Sequence, residues 1–211
     1  MKFTVASVLA ATAAVVSASP CAAPKPQTEG TNTATNNDAV FTLRTAKSGG
    51  DMPVQNRPII AVNRSLAFGP LQNASAICDG PVPGAANFML QDGRLKLYTK
   101  DEEQTVSIDA SGMGQGNVHY LNGPVPPSND APDAPTNAQD KTKTFSLSAD
   151  GGLEFLNEPK FQACPGQNDT WYIWYKVVDK PAGQEGCVDV LLKSSPSEQL
   201  VKCQYSNDAA K

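Results

Sequence analysis

The chain holds a single histidine, no Cys-x-x-Cys pair and no run of about 20 apolar residues, the length that a membrane-spanning helix requires. The first two absences leave zinc with too few ligands and a Ser-His-Asp arrangement with only His119, which sits in a strand-like alternation. No catalytic residue, metal or cofactor is therefore expected, and no membrane partner. Basic patches are also lacking: a formal net charge of −4, with acids and bases interspersed, offers no face for nucleic acid. Helical periodicity is absent throughout, which leaves β structure.

What is present begins with an export signal over residues 1–18. Lys2 supplies the positive end, Val5 to Val16 an apolar stretch too short to cross a bilayer, and Val16-Ser17-Ala18 a small-residue cleavage site. The tail 206–211 is polar, unlike a glycolipid-anchor signal. Three sequons, at Asn63, Asn73 and Asn168, agree with passage through a glycosylating pathway. In that oxidising route the five cysteines default to disulfides. Cys164 and Cys187 flank an aromatic strand and close a loop of about 22 residues, worth on the order of 3 kcal/mol if bonded. Cys78 with Cys203 is then the second bridge, and Cys21 is left over. Four cysteines allow three pairings, so this one is a preference among them.

Residues 19–38 are rich in Pro, Thr and Asn with almost no large apolar side chain, and read as a disordered leader. A single all-β domain is expected over 39–205. Its clearest hairpin is Asn87 to Tyr98: with Asp92-Gly93 as a two-residue turn, Leu90 faces Leu95 and Phe88 faces Leu97, all on one side. A second copy runs from Thr144 to Phe155. There a three-residue turn, Asp150-Gly151-Gly152, puts Ala149 opposite Leu153 and Leu147 opposite Phe155, with Gly152 in the left-handed position. Residues 123–140 carry five prolines and read as a surface loop. Ser48 to Asp51 reads as a turn. About eleven or twelve short strands result. The Phe-x-Leu pairs at 41/43, 88/90 and 145/147 recur about every 50 residues, which favours a β-trefoil-like barrel with closed edges; a β-sandwich is the alternative.

Two stretches stand out as candidate sites. Ser111-Gly-Met-Gly-Gln-Gly116 invites a phosphate-loop reading, but the spacing is wrong and a strand, not a helix, follows. It is expected to be a turn in which Gly112, Gly114 or Gly116 has positive φ or lies against another backbone. Trp171 to Tyr175 alternates, so Tyr172 and Trp174 share one face; exposed, they would stack on sugar rings, and buried, they would pack under the proline-rich loop. Six acids, Asp101, Glu102, Glu103, Asp109, Glu154 and Glu158, leave room for a carboxylate pair of a glycoside hydrolase, yet nothing singles out two of them.

Three segments, in order, carry a resemblance. They are Ser111-Gly-Met-Gly-Gln-Gly116 with its following strand, the Phe-x-Leu to Leu-Tyr segment at 88–98, and Ala163-Cys-Pro165 leading through Trp171-Tyr-Ile-Trp174 to Gly186-Cys187. Over residues 40–195 the chain resembles the PhiA-type secreted cell wall proteins of filamentous ascomycete fungi. The resemblance implies a non-enzymatic glycoprotein of the extracellular fungal wall, associated with spore-bearing cells and conidiation and, in some relatives, recognised by human IgE. Weak association with wall polysaccharide is the partner reading that goes with this role, and a monomer is expected. The alternative function is a carbohydrate-binding module or lectin for chitin or β-glucan that uses Tyr172 and Trp174. The leader, the proline-rich insertion and the tail bearing Cys203 depart from the family pattern.

Overall fold

The computed structural model of the 211-residue chain describes residues 39–46, 54–70, 76–125 and 141–206. The signal, the leader, the Ser48 to Asp51 turn, Asn73, most of the proline-rich loop and nearly all of the polar tail lie outside those residues.

Among the described residues there are fourteen strands and no α-helix. They are β1 (Phe41–Ala46), β2 (Ile60–Val62), β3 (Ser65–Phe68), β4 (Ile77–Cys78), β5 (Asn87–Gln91), β6 (Arg94–Leu97) and β7 (Gln104–Asp109), then β8 (Asn117–Asn122), β9 (Phe145–Leu147), β10 (Leu153–Phe155), β11 (Phe161–Pro165), β12 (Trp171–Tyr175), β13 (Val188–Pro196) and β14 (Cys203–Gln204). The antiparallel order β11-β13-β1-β5-β6-β7-β8-β3-β12 returns to β11, so nine strands form a closed barrel. Closure removes the unpaired edges of the ring itself, while β2 extends from β3 as an edge strand outside it. Strand β3 is a wedge: it pairs with β8 through Ser65 and with β12 through Ala67 and Phe68, while β8 and β12 meet directly at Asn117 and Trp174.

Alternation explains the interior. Leu43, Phe88, Leu95, Val106, Ile108, Val118, Tyr120, Phe161, Ala163 and Ile173 are all buried and come from successive barrel strands. The lumen is thus a packed core, as expected for a barrel of about this size. Two small two-stranded sheets pack against it. The β9/β10 pair brings Phe145 and Phe155 together at 5.0 Å between ring centroids, and Phe155 meets Tyr175 edge-on, also at 5.0 Å. The β4/β14 pair sets Cys78 opposite Cys203, and the segment after β13 is tied in by buried amides. Asn87 Nδ2 donates to the Gln199 and Val201 carbonyls at 2.7 and 3.2 Å; Gln104 donates to the Tyr205 carbonyl at 2.8 Å and accepts from its N–H at 2.9 Å.

The first hairpin has the expected register, with Phe88 opposite Leu97 and Leu90 opposite Leu95; Asp92 and Gly93 take φ of 50° and 75°, the paired positive values of a type I′ turn. The second differs from expectation. Leu147 faces Leu153 and Phe145 faces Phe155, so the connection is five residues, Ser148 to Gly152, closed by Ser148 N–H to the Gly152 carbonyl at 2.8 Å. The Ser148 hydroxyl accepts from Gly152 N–H at 2.9 Å and donates to Asp150 at 2.6 Å, which stabilises the longer loop. Gly151, at φ 77°, takes the left-handed position in place of Gly152. The Phe-x-Leu pairs also do not mark equivalent units: those at 41/43 and 88/90 lie on adjacent barrel strands, whereas 145/147 lies in the separate β9/β10 hairpin.

Burial raises the phenols of Tyr120, Tyr175 and Tyr205 from 10.0 to about 12. Between those values an unfolded chain releases these protons and the folded one holds them, so stability is fully present below pH 10 and falls as pH rises through about 12. An alkaline titration followed by tyrosinate absorbance and circular dichroism should show ionisation and loss of β structure occurring together. Ionisation of all tyrosines near pH 10 with the barrel intact would contradict this.

Candidate functional site

The glycine-rich turn joins β7 to β8 and is held by its own amides. Ser111 N–H donates to Asp109 Oδ1 at 3.0 Å, Gly114 N–H to Ser111 Oγ at 3.0 Å, Gln115 N–H to the Ser111 carbonyl at 2.8 Å and Gly116 N–H to the Asp109 carbonyl at 2.8 Å. Those four donors are taken up within the turn and are not offered to an anion. The glycines differ in what they require. Gly116, at φ 90°, sits against β12 so closely that a Cβ would overlap the Tyr175 carbonyl oxygen, and its own carbonyl accepts from Tyr175 N–H at 2.8 Å. A Cβ on Gly114 would overlap the Asp109 carboxylate, and Gly112 has open space around it. Met113 stands at the tip, 94% exposed. Gln115 Oε1 accepts from Ala182 N–H at 2.7 Å, so the turn also braces the connection after β12.

On β12, Trp171, Ile173 and Tyr175 face inward; Trp171 stacks on Phe68 at 6.1 Å. Tyr172 and Trp174 face outward but are only half-exposed. Tyr172 packs on Ile60, Val62 and Ala67, a second small apolar cluster outside the barrel. Trp174 lies opposite Gln162, whose Nε2 donates to the Val178 carbonyl at 2.8 Å, so the 176–187 connection passes along this side of the barrel. The Cys164–Cys187 disulfide pins its far end, with Cα atoms 4.1 Å apart. The Trp174 indole N–H is buried without an acceptor. The two aromatics are therefore a partly covered pair, not an open platform.

The second disulfide joins Cys78 to Cys203 across 125 residues, with Cα atoms 4.0 Å apart. Asn168 is exposed in the β11–β12 turn, whereas Asn63 is half-buried in the β2–β3 turn.

A cleft of about 410 Å³ opens beside β11 and β13, with Pro159, Phe161 and Val190 below and Lys160, Lys176 and Asp189 at its rim. Its cations are paired: Lys176 with Asp189 at 2.8 Å and Asp179 at 3.3 Å, Lys160 with Glu158 at 2.8 Å. The hydrogen bond from Lys160 holds the Glu158 carboxyl below the usual range, the setting of a spectator and not of a general acid. The other acids named from the sequence have separate local partners. Glu103 accepts from Lys96 at 2.9 Å, Glu154 from Ser146 at 3.3 Å, Asp109 serves the glycine turn, and Asp101 and Glu102 are exposed in the β6–β7 connection. His119 is half-buried on β8 between Ser107 and Ser65. Among the described residues no three His, Cys, Asp or Glu side chains gather as a metal site. Sequence reasoning missed Asn87 and Gln104, whose buried amides secure the C-terminal segment; a lone Asn or Gln at a strand start carries no periodic signal.

The sequence is similar to those of known proteins. The family model described as "PhiA-like secreted protein" matches residues 39–206. A protein of Aspergillus niger named "Cell wall protein phiA" is 34% identical over 158 residues, 74% of this chain and 80% of that one. Proteins of the same name from Emericella nidulans and Aspergillus fumigatus are each 32% identical, over 66% and 72% of this chain and 73% and 78% of their own. No solved structure matches. The matched region spans the barrel, both disulfides and the glycine turn, and the chain belongs to the PhiA-like secreted protein family.

Proposed function

We propose that this chain is a non-enzymatic structural glycoprotein of the fungal cell wall that acts through a durable folded shell and surface association with wall polysaccharide. One observation carries the reading: the match to the family of the relatives named as cell wall proteins runs over residues 39–206, which in this chain is the whole disulfide-pinned barrel, its interior filled with side chains. Such a molecule meets its surroundings with its outer surface. The developmental part of the reading is a contribution to spore-bearing cells and conidiation. An epitope-tagged chain expressed in its native fungus should partition into the washed wall fraction as well as the medium, and its deletion should lower conidial yield. Recovery wholly in the medium with unchanged sporulation would overturn both parts. Turnover of wall glycans by the purified protein, abolished by Glu158→Gln, would overturn the non-enzymatic part.

A lectin reading has one observation in its favour, the buried Trp174 indole N–H without an acceptor beside half-exposed Tyr172. Retention on insoluble chitin or β-glucan that falls at least tenfold in Trp174→Ala would support it. If neither protein is retained, the lectin reading is removed and the structural one stands.

A further inference from the structure

We propose that Asn168 carries an N-linked glycan in the secreted protein and that Asn63, with the same Asn-x-Ser/Thr form, does not. The inference rests on the reading of the chain as an exported wall protein, because export brings it to the enzyme that reads sequons.

The two sites differ in their surroundings. Asn168 is at the crown of the β11–β12 turn, where Pro165 through Asp169 are all exposed. Asn168 and Asp169 have φ of 53° and 55°, a left-handed conformation that Asn and Asp tolerate better than other side chains. The turn is closed through its backbone, by Gly166 N–H to the Thr170 carbonyl at 2.7 Å and Thr170 N–H to the Gln167 carbonyl at 3.1 Å. A sugar on Asn168 Nδ2 meets solvent and disturbs none of this. Asn63 is in the two-residue turn of β2–β3, whose Arg64 side chain is exposed but whose backbone is docked: the Arg64 N–H lies 3.2 Å from the Tyr120 hydroxyl and 3.4 Å from the Ser206 carbonyl. The Asn63 carboxamide oxygen is buried there without a partner. Its Nδ2 belongs to the same planar group, so a glycan requires that group to be turned out of its pocket and the turn to be lifted from the C-terminal segment.

Transfer forms a bond from Asn168 Nδ2 to the anomeric carbon of an oligosaccharide carried on a lipid diphosphate. The bond from that carbon to the diphosphate oxygen breaks, the lipid diphosphate leaves with the electron pair, and Nδ2 gives up one proton; no oxidant is involved. The sequon's hydroxyl, on Thr170, is buried and unpartnered in the folded protein. The transferase therefore reads sequons before the hairpins close; a chain modified at Asn63 is then unable to seat the β2–β3 turn against Tyr120 and Ser206, so the folded, secreted protein carries a glycan at Asn168 and not at Asn63. The attached sugar rises beside Tyr172, whose ring lies over Gly166 of the same turn.

The test uses the full chain secreted from a filamentous fungal host. Peptides containing Asn63 and Asn168 are weighed before and after an amidase that removes N-glycans and leaves aspartate. The Asn168 peptide should carry a glycan and then read as aspartate, while the Asn63 peptide reads as asparagine both times. Asn168→Gln should lower the apparent mass by one glycan step, and Asn63→Gln should leave it unchanged. If the Asn168 variant is not secreted, the wild-type peptide masses decide alone. A bare Asn168, or a glycan on Asn63, overturns the inference; on a protein that still partitions into the wall, that result leaves the proposed location intact.

Discussion

Replacing Cys78 and Cys203 together by alanine should destabilise the barrel by about 4 kcal/mol, more than replacing Cys164 and Cys187. The two bridges span 125 and 23 residues. A cross-link restricts the unfolded chain more as its loop lengthens, roughly 3 kcal/mol for a short loop of this kind and nearer 5 kcal/mol for one above 100 residues. The folded side of the balance points the same way. Cys203 is fully buried, and with Tyr205 it belongs to the main hydrophobic core. That segment retains other ties without the bridge: Cys203 N–H to the Tyr98 carbonyl at 3.1 Å, Asp79 N–H to the Lys202 carbonyl at 3.0 Å and the amides of Asn87 and Gln104. The double variant should therefore fold with a lower Tm, by about 8–16 °C for a domain of this size. Thermal unfolding of the two double variants side by side is the measurement. An equal or smaller drop for the Cys78/Cys203 pair would mean that the C-terminal segment is held by its hydrogen bonds and that the unfolded chain is already compact.

The same bridge shows where the sequence was readable. Strands β4 and β14 are two residues each, too short for any periodicity, and only their cysteines pointed to them. The β5/β6 hairpin was legible to the exact partner because turn chemistry and face agree: Asp-Gly as a two-residue turn wants two positive φ values and fixes the register, and that register puts Phe88, Leu90, Leu95 and Leu97 on one side. In β9/β10 the glycines permit several loop lengths. A shift of two residues keeps every side chain on its face, so the face argument could not separate Leu147 opposite Phe155 from Leu147 opposite Leu153. A hydroxyl decided it, through Ser148 and its bonds to Gly152 and Asp150.

Long-range order was less accessible. Alternation in β12 told which aromatics share a face, and Trp171, Ile173 and Tyr175 do turn inward. It carried no information on what would lie against Tyr172, because Ile60, Val62 and Ala67 arrive from strands more than a hundred residues earlier. The wedge position of β3 and the pairing of β1 with β13 are likewise set by packing among distant segments. Closed-barrel architecture could be anticipated from many short strands; the order in which they neighbour each other could not.

Gly116→Ala should lower stability by about 2–4 kcal/mol, while Gly112→Ala should stay within about 0.5 kcal/mol of wild type. Three effects add at Gly116. Its φ of 90° lies in the region an L side chain rarely adopts, which alone costs about 1–2 kcal/mol. The new methyl overlaps the Tyr175 carbonyl oxygen, a backbone atom that no rotamer change can move aside. Relief by displacement then stretches the bond from Tyr175 N–H to the Gly116 carbonyl, now 2.8 Å, at the place where β8 meets β12. At Gly112 none of these applies, since φ is unexceptional and no atom lies within 4 Å of the added carbon. Gly114→Ala should fall between them: its obstacle is the Asp109 carboxylate, which can swing away but then releases the Ser111 N–H it accepts at 3.0 Å. Urea midpoints at constant slope give the order directly. Equal midpoints for the alanine variants at 112 and 116 would show that the turn is not clamped to β12, and the most distinctive run of the sequence would then need an explanation outside the fold.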